Sequence, residues 1–386
     1  MTADRDSTDP VLPATTDEVR GVIADACATA EPIQLQGSGT WSDAGPPRCA
    51  TRTLSMRALS GIISYVPGDL TITAWAGTTL AELSHATAAH GQWLGLDPAG
   101  DRLGTIGATV STASAGPLAH AFGTPRDLVL GIEAVTGYGD VIRPGGRVVK
   151  NVAGFDLVRL FTGAWGTLGA ITAVTLRLRA LPVHDVTLAM PIRSAATLDA
   201  LIPRLRANTL SLLALEWLDG ATAQSLGVGR GDDTLLVRIG GNDAFVRGQH
   251  SALSGVASVE SCDPSVWASL SNLDAGAVVV ARVSGAVSTL SARLAAVRAA
   301  LGESDVQLVM HASVQRGIIR VIASRATSAL RAVLGGQSTD QQCVVERQPA
   351  AWWSTTRDPF RSPLGTRIRA AFDPREICNR TEVRDA

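Results

Sequence analysis

Lysine is all but missing from this 386-residue chain: of its 34 lysines and arginines, Lys150 alone is lysine. Acidic and basic residues are interspersed and nearly balanced, at a net charge of −1, which leaves no basic stripe for nucleic acid and no polybasic membrane patch. Five cysteines (Cys27, Cys49, Cys262, Cys343 and Cys378) stand far apart with no Cys-x-x-Cys pair. That spacing excludes an iron–sulfur cluster or zinc finger held by this chain alone. Six histidines are scattered singly, none in a His-x-x-x-His pair, so each reads as a satisfied polar residue rather than a metal ligand. No apolar run approaches a membrane span. Residues 1–16 are polar and acidic, the opposite of a secretory signal. Together these absences predict a cytoplasmic chain without direct membrane insertion.

An apolar fraction of 46% with 18% charged residues describes a well-packed chain, on the order of two or three domains at this length. Thr15 and Glu18 stand at the capping-box spacing, and Val19, Val22, Ile23, Ala26, Cys27 and Ala30 follow at helical intervals. A helix therefore opens the fold after a disordered stretch, residues 1–15. A short strand over residues 32–35 leads into the turn Gln36-Gly37-Ser38-Gly39-Thr40, and residues 61–74 read as strand, turn and strand before a helix that begins at Leu80. Val174, Leu176 and Leu178 alternate with Thr175, Arg177 and Arg179, the pattern of a half-buried strand; Leu181-Pro182 ends it and marks a domain boundary. Beyond it, strand-like and helix-like runs succeed one another in an order that suits an antiparallel sheet covered on one face by helices. No internal repeat stands out.

Glycine carries the functional signal. In Gln36–Thr40, successive backbone N–H groups can converge on an anion such as a pyrophosphate. The turn is no Rossmann fingerprint, because Ser42 holds the place of the third glycine and Ala44-Gly45-Pro46-Pro47 cannot start a helix. Taken alone it is equally compatible with an ordinary turn. From Gly104 to Gly116 every residue is small except Ile106 and Val110, which lets backbone approach a flat ligand or pack tightly on a neighbouring element. The third segment, Gly145 to Leu157, contains the sole lysine and is followed by Gly163-Ala164-Trp165-Gly166-Thr167-Leu168-Gly169. An ammonium is a compact point charge and a guanidinium a planar fork, so a lysine kept in an otherwise all-arginine chain marks a position where arginine does not substitute. The three segments converge on a long, flat, phosphate-bearing cofactor held mostly by main chain.

These motifs resemble the FAD-binding PCMH-type family of flavin oxidoreductases, and within it the FAD-binding E subunits of bacterial glycolate oxidases. The resemblance rests on Gln36–Thr40, on Leu96-Asp97-Pro98 with Thr105-Ile106-Gly107, and on Val149–Leu157 with Gly166–Gly169; it covers nearly all of residues 16–182 and the remainder weakly. It implies an α+β fold: a PCMH-type FAD-binding domain of two subdomains over residues 16–182, a ferredoxin-like cap domain over 183–348, and a C-terminal segment, 349–386, packing back on the flavin domain. It implies pyrophosphate contacts at Gly37, Ser38, Gly39 and Thr40. Pro98, Thr105, Ser111 and Gly116, with Gly107 in the same segment, would surround the ribitol and phosphates, Ile171 would lie near the adenine, and Lys150 would lie close to the flavin or lock its loop. Family members that attach flavin covalently carry a His in the first loop; this loop has none, which implies noncovalent FAD. Catalytic subunits of the family carry a paired-His metal motif in the cap, whereas His311-Ala312 stands alone, so no metal is assigned. The family's closing motif, Asp-Pro followed by Asn-Pro-Gly, is kept as Asp373-Pro374 and Asn379, after which Arg380-Thr381 depart from it.

The chemistry so implied is oxidation of glycolate or a related D-2-hydroxy acid. A hydride leaves the α-carbon for the flavin while a base takes the hydroxyl proton, and the sequence names no catalytic residue for that step. The resemblance implies an electron exit through a complex with a second flavin subunit and an iron–sulfur subunit, through which any membrane association would come. Two other readings stand beside it: a self-sufficient FAD-dependent D-lactate or other 2-hydroxy acid dehydrogenase, and a non-catalytic flavin-binding structural subunit. Turnover by the isolated chain is expected only of the self-sufficient enzyme. Arg361, Arg367 and Arg369 read as a solvated helix face. Lys150→Ala is expected to lower the FAD content of the purified protein, measured by flavin absorbance; full occupancy with full activity of the complex would refute the role given to Lys150.

Overall fold

A computed structural model describes residues 9–146, 155–207, 210–301, 308–335, 341–356 and 362–381. The chain forms two compact units: one of Met1–Ala115, Gly123–Leu181 and Arg357–Ala386, the other of Gly116–Phe122 and Pro182–Thr356. No described helix is long and apolar enough to cross a membrane.

The first unit opens with α1 (Thr16–Thr29). Thr15 caps it by accepting the Glu18 N–H at 3.2 Å, and the Glu18 carboxylate reaches back to the Ala14 N–H at 2.7 Å. Val19, Ile23 and Ala26 form its buried stripe. After it, β1 (Ile33–Gln36) pairs in parallel with β2 (Arg52–Ser55). A separate antiparallel sheet joins β3 (Ile62–Val66), β4 (Thr71–Trp75), β5 (Gln92–Leu94), β6 (Val129–Thr136), β7 (Val141–Ile142) and β8 (Gly169–Ala180) in the order β3-β4-β8-β6-β7, with β5 also on β8. The 12-residue β8 is its centre, long enough to hold three partners. Val174, Leu176 and Leu178 are buried along it and Thr175, Arg177 and Arg179 partly exposed, as their alternation predicts. Among the helices that follow in this unit, α2 (Leu80–Ala88) begins at a full Thr79/Glu82 capping box. Another, α3 (Ile106–Thr112), is what the small-residue stretch becomes, with its two large residues, Ile106 and Val110, completely buried.

The C-terminal segment returns to β1. Following the helix Pro363–Phe372, the fully buried Asp373 accepts the N–H groups of Ile377 at 3.0 Å and Cys378 at 2.8 Å. Ile33 N–H then donates to the Ile377 carbonyl and Asn379 N–H to the Ile33 carbonyl, so residues 377–379 run beside β1. Burial raises the pKa of the Asp373 carboxyl, offset only in part by the two N–H bonds and Arg369. Arg369 is itself buried and donates to the Cys378 carbonyl at 2.9 Å, so it does not lie on the solvated face expected of it.

The second unit is one antiparallel sheet of eight strands: β9 (His184–Ile192), β10 (Ala214–Leu218), β11 (Asp233–Gly241), β12 (Glu260–Cys262), β13 (Val279–Gly285), β14 (Leu308–Ser313), β15 (Ile318–Ala323) and β16 (Gln341–Arg347). Their spatial order is β12-β9-β11-β10-β14-β15-β13-β16. Helices Ala195–Ala207, Asp243–Ser254, Leu290–Leu301 and Ser328–Gly335 follow β9, β11, β13 and β15. Each half is therefore a βαββαβ unit of ferredoxin-like order, and the halves join edge to edge through β10 and β14. The sequence shows no repeat because the duplication is one of topology, with apolar positions and not residue identities preserved. Helix residues such as Leu198, Leu253, Leu294 and Leu330 bury themselves against Met190, Trp217, Ala281 and Val321 on one sheet face.

The unit boundaries differ from the sequence-based ones in two places. Gly116–Phe122 cluster with the second unit, where the short helix Ala119–Phe122 packs on β10. Residues 349–356 also cluster there and not with the C-terminal segment, because Trp352 packs on that unit's core. Replacing Asp373 with Ala leaves two buried amides without an acceptor and is expected to cost about 1–3 kcal/mol for each; a lowered urea midpoint checks this, and an unchanged midpoint would refute it.

Candidate functional site

The first unit contains a cleft of about 720 Å³, counting the space open to solvent at its mouth. Its walls are the loop after β1, the start and inner face of α3, the turn at Trp165-Gly166, and the first residues of β8. Gly37 stands where the loop presses on the N-cap of α3: a Cβ there would lie 2.1 Å from Thr105 Oγ1. Gly39 follows at φ +85°, a conformation that L side chains rarely adopt. Ser55 Oγ donates to the Gly37 carbonyl at 2.7 Å and Ser38 Oγ to the Leu103 carbonyl at 2.9 Å, fixing the loop from behind. The backbone N–H groups of Gly37, Ser38, Gly39 and Thr40 find no acceptor among the described residues. Four adjacent amides without acceptors among the described residues suit a nest of the kind that binds an anion.

Asn379 ties two walls together. Its Oδ1 accepts the Leu35 N–H at 2.8 Å and its Nδ2 donates to the Trp165 carbonyl at 2.7 Å. Asn379 (φ +46°) and Trp165 (φ +55°) both lie in the left-handed region, a strained conformation held by this hydrogen bond at the cleft wall. Gly166 comes so near that a Cβ on it would meet Asn379 Nδ2 at 2.6 Å. The Trp165 ring meets Trp41 edge to face, with centroids 6.5 Å apart, so an aromatic pair lines the cleft opposite the glycine backbone. Arg48 is the charged side chain among the lining residues.

Of the residues singled out from sequence, Gly37, Ser38, Gly39, Thr40, Thr105, Gly107, Ser111 and Ile171 line this cleft. Pro98 lines a smaller adjoining pocket that shares Thr40 and Thr105 with it. Gly116 lines neither; it opens the segment that clusters with the second unit. Lys150 lies outside the described residues. Sequence reasoning missed Trp41, Arg48 and Trp165 as lining residues. Nothing in Pro46-Pro47-Arg48 distinguishes that arginine from its neighbours along the chain, and Trp165 was passed over as part of a glycine turn.

The second unit has its own polar cluster on the sheet face turned away from the helices of its main core. Glu216, 2% exposed, holds His311 Nδ1 at 3.1 Å. Beside them Arg320 pairs with both Asp274 and Glu346, at 2.9 and 2.8 Å, and Arg282 with Glu346 at 2.6 Å. His120, on the short helix packed against β10, is held low in pKa by burial; Glu216 raises it and Arg316 lowers it further. Among the described residues no group of three or more His, Cys, Asp or Glu side chains assembles as a metal site.

Comparison with known proteins agrees with this geometry. Over 95% of its length the chain superposes on p-cresol methylhydroxylase, covering 87% of that chain (TM-score 0.78, 16% identity), and over 96% on 4-ethylphenol oxidase from Gulosibacter chungangensis, covering 87% of it (TM-score 0.73, 15% identity); both likenesses concern the fold. Residues 10–145 match the FAD binding domain family. The chain thus shares its fold with these two proteins, and the match to an FAD binding domain falls almost wholly in its first unit. It is 32% identical over 235 residues to glycolate oxidase subunit GlcE of Escherichia coli (60% of this chain, 63% of that protein). It is 31% identical over 215 residues to glycolate oxidase subunit GlcD of Bacillus subtilis (55% and 45%) and 32% identical over 169 residues to a D-lactate dehydrogenase of Archaeoglobus fulgidus (44% and 38%). The matched stretches span less than two-thirds of these relatives' lengths.

The residues present suit FAD: a main-chain nest for the pyrophosphate, close-packed glycines against which a flat ring system can lie, and an aromatic wall. Asn379→Ala removes both bonds that join the walls and puts alanine at φ +46°. At about 1–3 kcal/mol for the lost interactions, FAD binding is expected to weaken roughly tenfold or more, measured by titration of flavin fluorescence; an unchanged dissociation constant would refute the clamp.

Proposed function

We propose that this chain is the FAD-binding subunit of a glycolate oxidase-type complex. It oxidises glycolate or a related D-2-hydroxy acid to the 2-oxo acid and passes the electrons to an iron–sulfur partner. The observation that carries the reading is the nest of four unpaired amides, Gly37 to Thr40, in a domain of flavin-binding type. The similarity to two glycolate oxidase subunits supports the substrate class, and their being named as subunits supports a multi-subunit assembly.

When bound, FAD supplies the acceptor for a hydride from the α-carbon. The chain's own residues hold it without a covalent bond: the Gly37–Thr40 amides meet the pyrophosphate, and Thr105, Gly107, Ser111 and Ile171 line the rest of its bed. A hydroxy acid must also lose its hydroxyl proton. A second reading, a self-sufficient D-lactate dehydrogenase, is favoured by the similarity to D-lactate dehydrogenases.

The purified protein is expected to be yellow and to release unmodified FAD on heating. Glycolate or a D-2-hydroxy acid should bleach it anaerobically, with sustained turnover once the iron–sulfur subunit is added. Sustained turnover by the chain alone with an artificial acceptor would select the second reading. A colourless chain that leaves added FAD in solution, both alone and when co-expressed with the partner, would reject both.

A further inference from the structure

We infer that Arg48 supplies the counter-charge for the diphosphate of the bound dinucleotide. The inference rests on the FAD reading above and adds a side chain to a site otherwise described by main chain. Arg48 is the charged residue among those lining the cleft, which it shares with the Gly37–Thr40 nest. Its guanidinium makes one hydrogen bond among the described residues, from NH2 to the Ala44 carbonyl at 3.2 Å. That acceptor is neutral and uses one of five N–H groups.

Other arginines of this protein have more partners, and the buried Arg293 rests on the carbonyls of Val283, Ala286 and Gly317. Arg320 sits between the carboxylates of Asp274 and Glu346, and Arg282 against Glu346. Among the described residues Arg48 meets no carboxylate, and burial lowers its pKa. A half-buried guanidinium with a single neutral acceptor keeps N–H groups to offer an anion in the cleft. The backbone at Arg48 is also held in place. It bridges to Thr381 across an antiparallel pair, Cys49 N–H donates to the Arg380 carbonyl at 2.9 Å, and Gly45 packs against the Trp165 ring. A positioned guanidinium facing the same space as unpaired amides is the donor set that recognises a phosphate group through charge-assisted hydrogen bonds.

The full chain, stripped of flavin, is titrated with FAD, ADP, riboflavin and glycolate at low and high salt, following quenching of tryptophan emission, for the wild type, Arg48→Gln and Arg48→Lys. ADP carries the diphosphate without the isoalloxazine, riboflavin the reverse. Arg48→Gln is expected to weaken FAD and ADP roughly tenfold or more, to leave riboflavin unchanged, and to flatten the salt dependence; Arg48→Lys should recover part of the loss. FAD and ADP binding within twofold of wild type by Arg48→Gln overturns the inference and leaves the flavin reading intact. Weakened glycolate with unchanged ADP also overturns it, assigning Arg48 to a substrate carboxylate. Wild-type protein that binds neither FAD nor ADP brings down the flavin reading and the inference with it. If Arg48→Gln melts far below wild type, the decision passes to Arg48→Met, which keeps the aliphatic stem: FAD and ADP affinities and a salt slope equal to those of wild type then refute the inference, and a loss for FAD and ADP that spares riboflavin supports it.

Discussion

Main chain meets its neighbours around the cleft with no room for a side chain between them, and the site depends on that close approach. A Cβ at Gly37 would collide with Thr105, one at Gly107 with Ala76 at 2.6 Å, and one at Gly166 with Asn379. Contacts this short fix the loop after β1, α3 and the turn before β8 as one packed body, because none can shift without driving atoms into another. The same closeness turns the loop's amides to an open space instead of to partners within the protein. A polar backbone run held rigid and left without acceptors has a definite preference for an anionic visitor, and it needs no reorganisation to receive one.

The second unit solves a different problem with different means. Two βαββαβ halves, joined edge to edge, give an eight-stranded sheet whose helix-bearing face is closed by aliphatic packing. On the other face Glu216, His311, Arg320, Arg282 and Glu346 come from five neighbouring strands, β10, β14, β15, β13 and β16. Along this row His311 stands against Glu216 and both arginines against Glu346, which satisfies groups that would be costly to bury singly. Ionic and imidazole groups so fixed keep their orientation, a property that aliphatic side chains cannot supply.

Much of this was legible in the chain. The Thr15/Glu18 spacing, the alternation along β8 and the antiparallel helix-covered sheet depend on local periodicity, and local periodicity is written directly in sequence. Eight of the eleven cofactor residues named from motifs line one cleft, because glycine in these segments is required by geometry and not merely tolerated. What stayed hidden depends on distance along the chain. The Asn379–Leu35 bond joins residues 344 apart, Arg48 acquires meaning only from the walls around it, and the pairing of Glu216 with His311 spans 95 residues. The duplication in the second unit escaped notice because strand order is a property of pairing and leaves no trace in residue identity. Gly116–Phe122 cluster with a stretch that begins only at Pro182, so no composition break marks that border.

The interleaved course of the chain also sets an order of events. The second unit is nearly continuous in sequence, whereas the first is begun before it and finished after it. As the polypeptide leaves the ribosome, β1 and its loop emerge early but wait for Ile377, Cys378 and Asn379 before their hydrogen bonds can close. The intervening sheet has its strands in hand while that wait lasts. Flavin capture is therefore a late step of biogenesis, possible only once nearly the whole chain has been made, and an interrupted translation product would carry a finished second unit beside an open, cofactor-free first one.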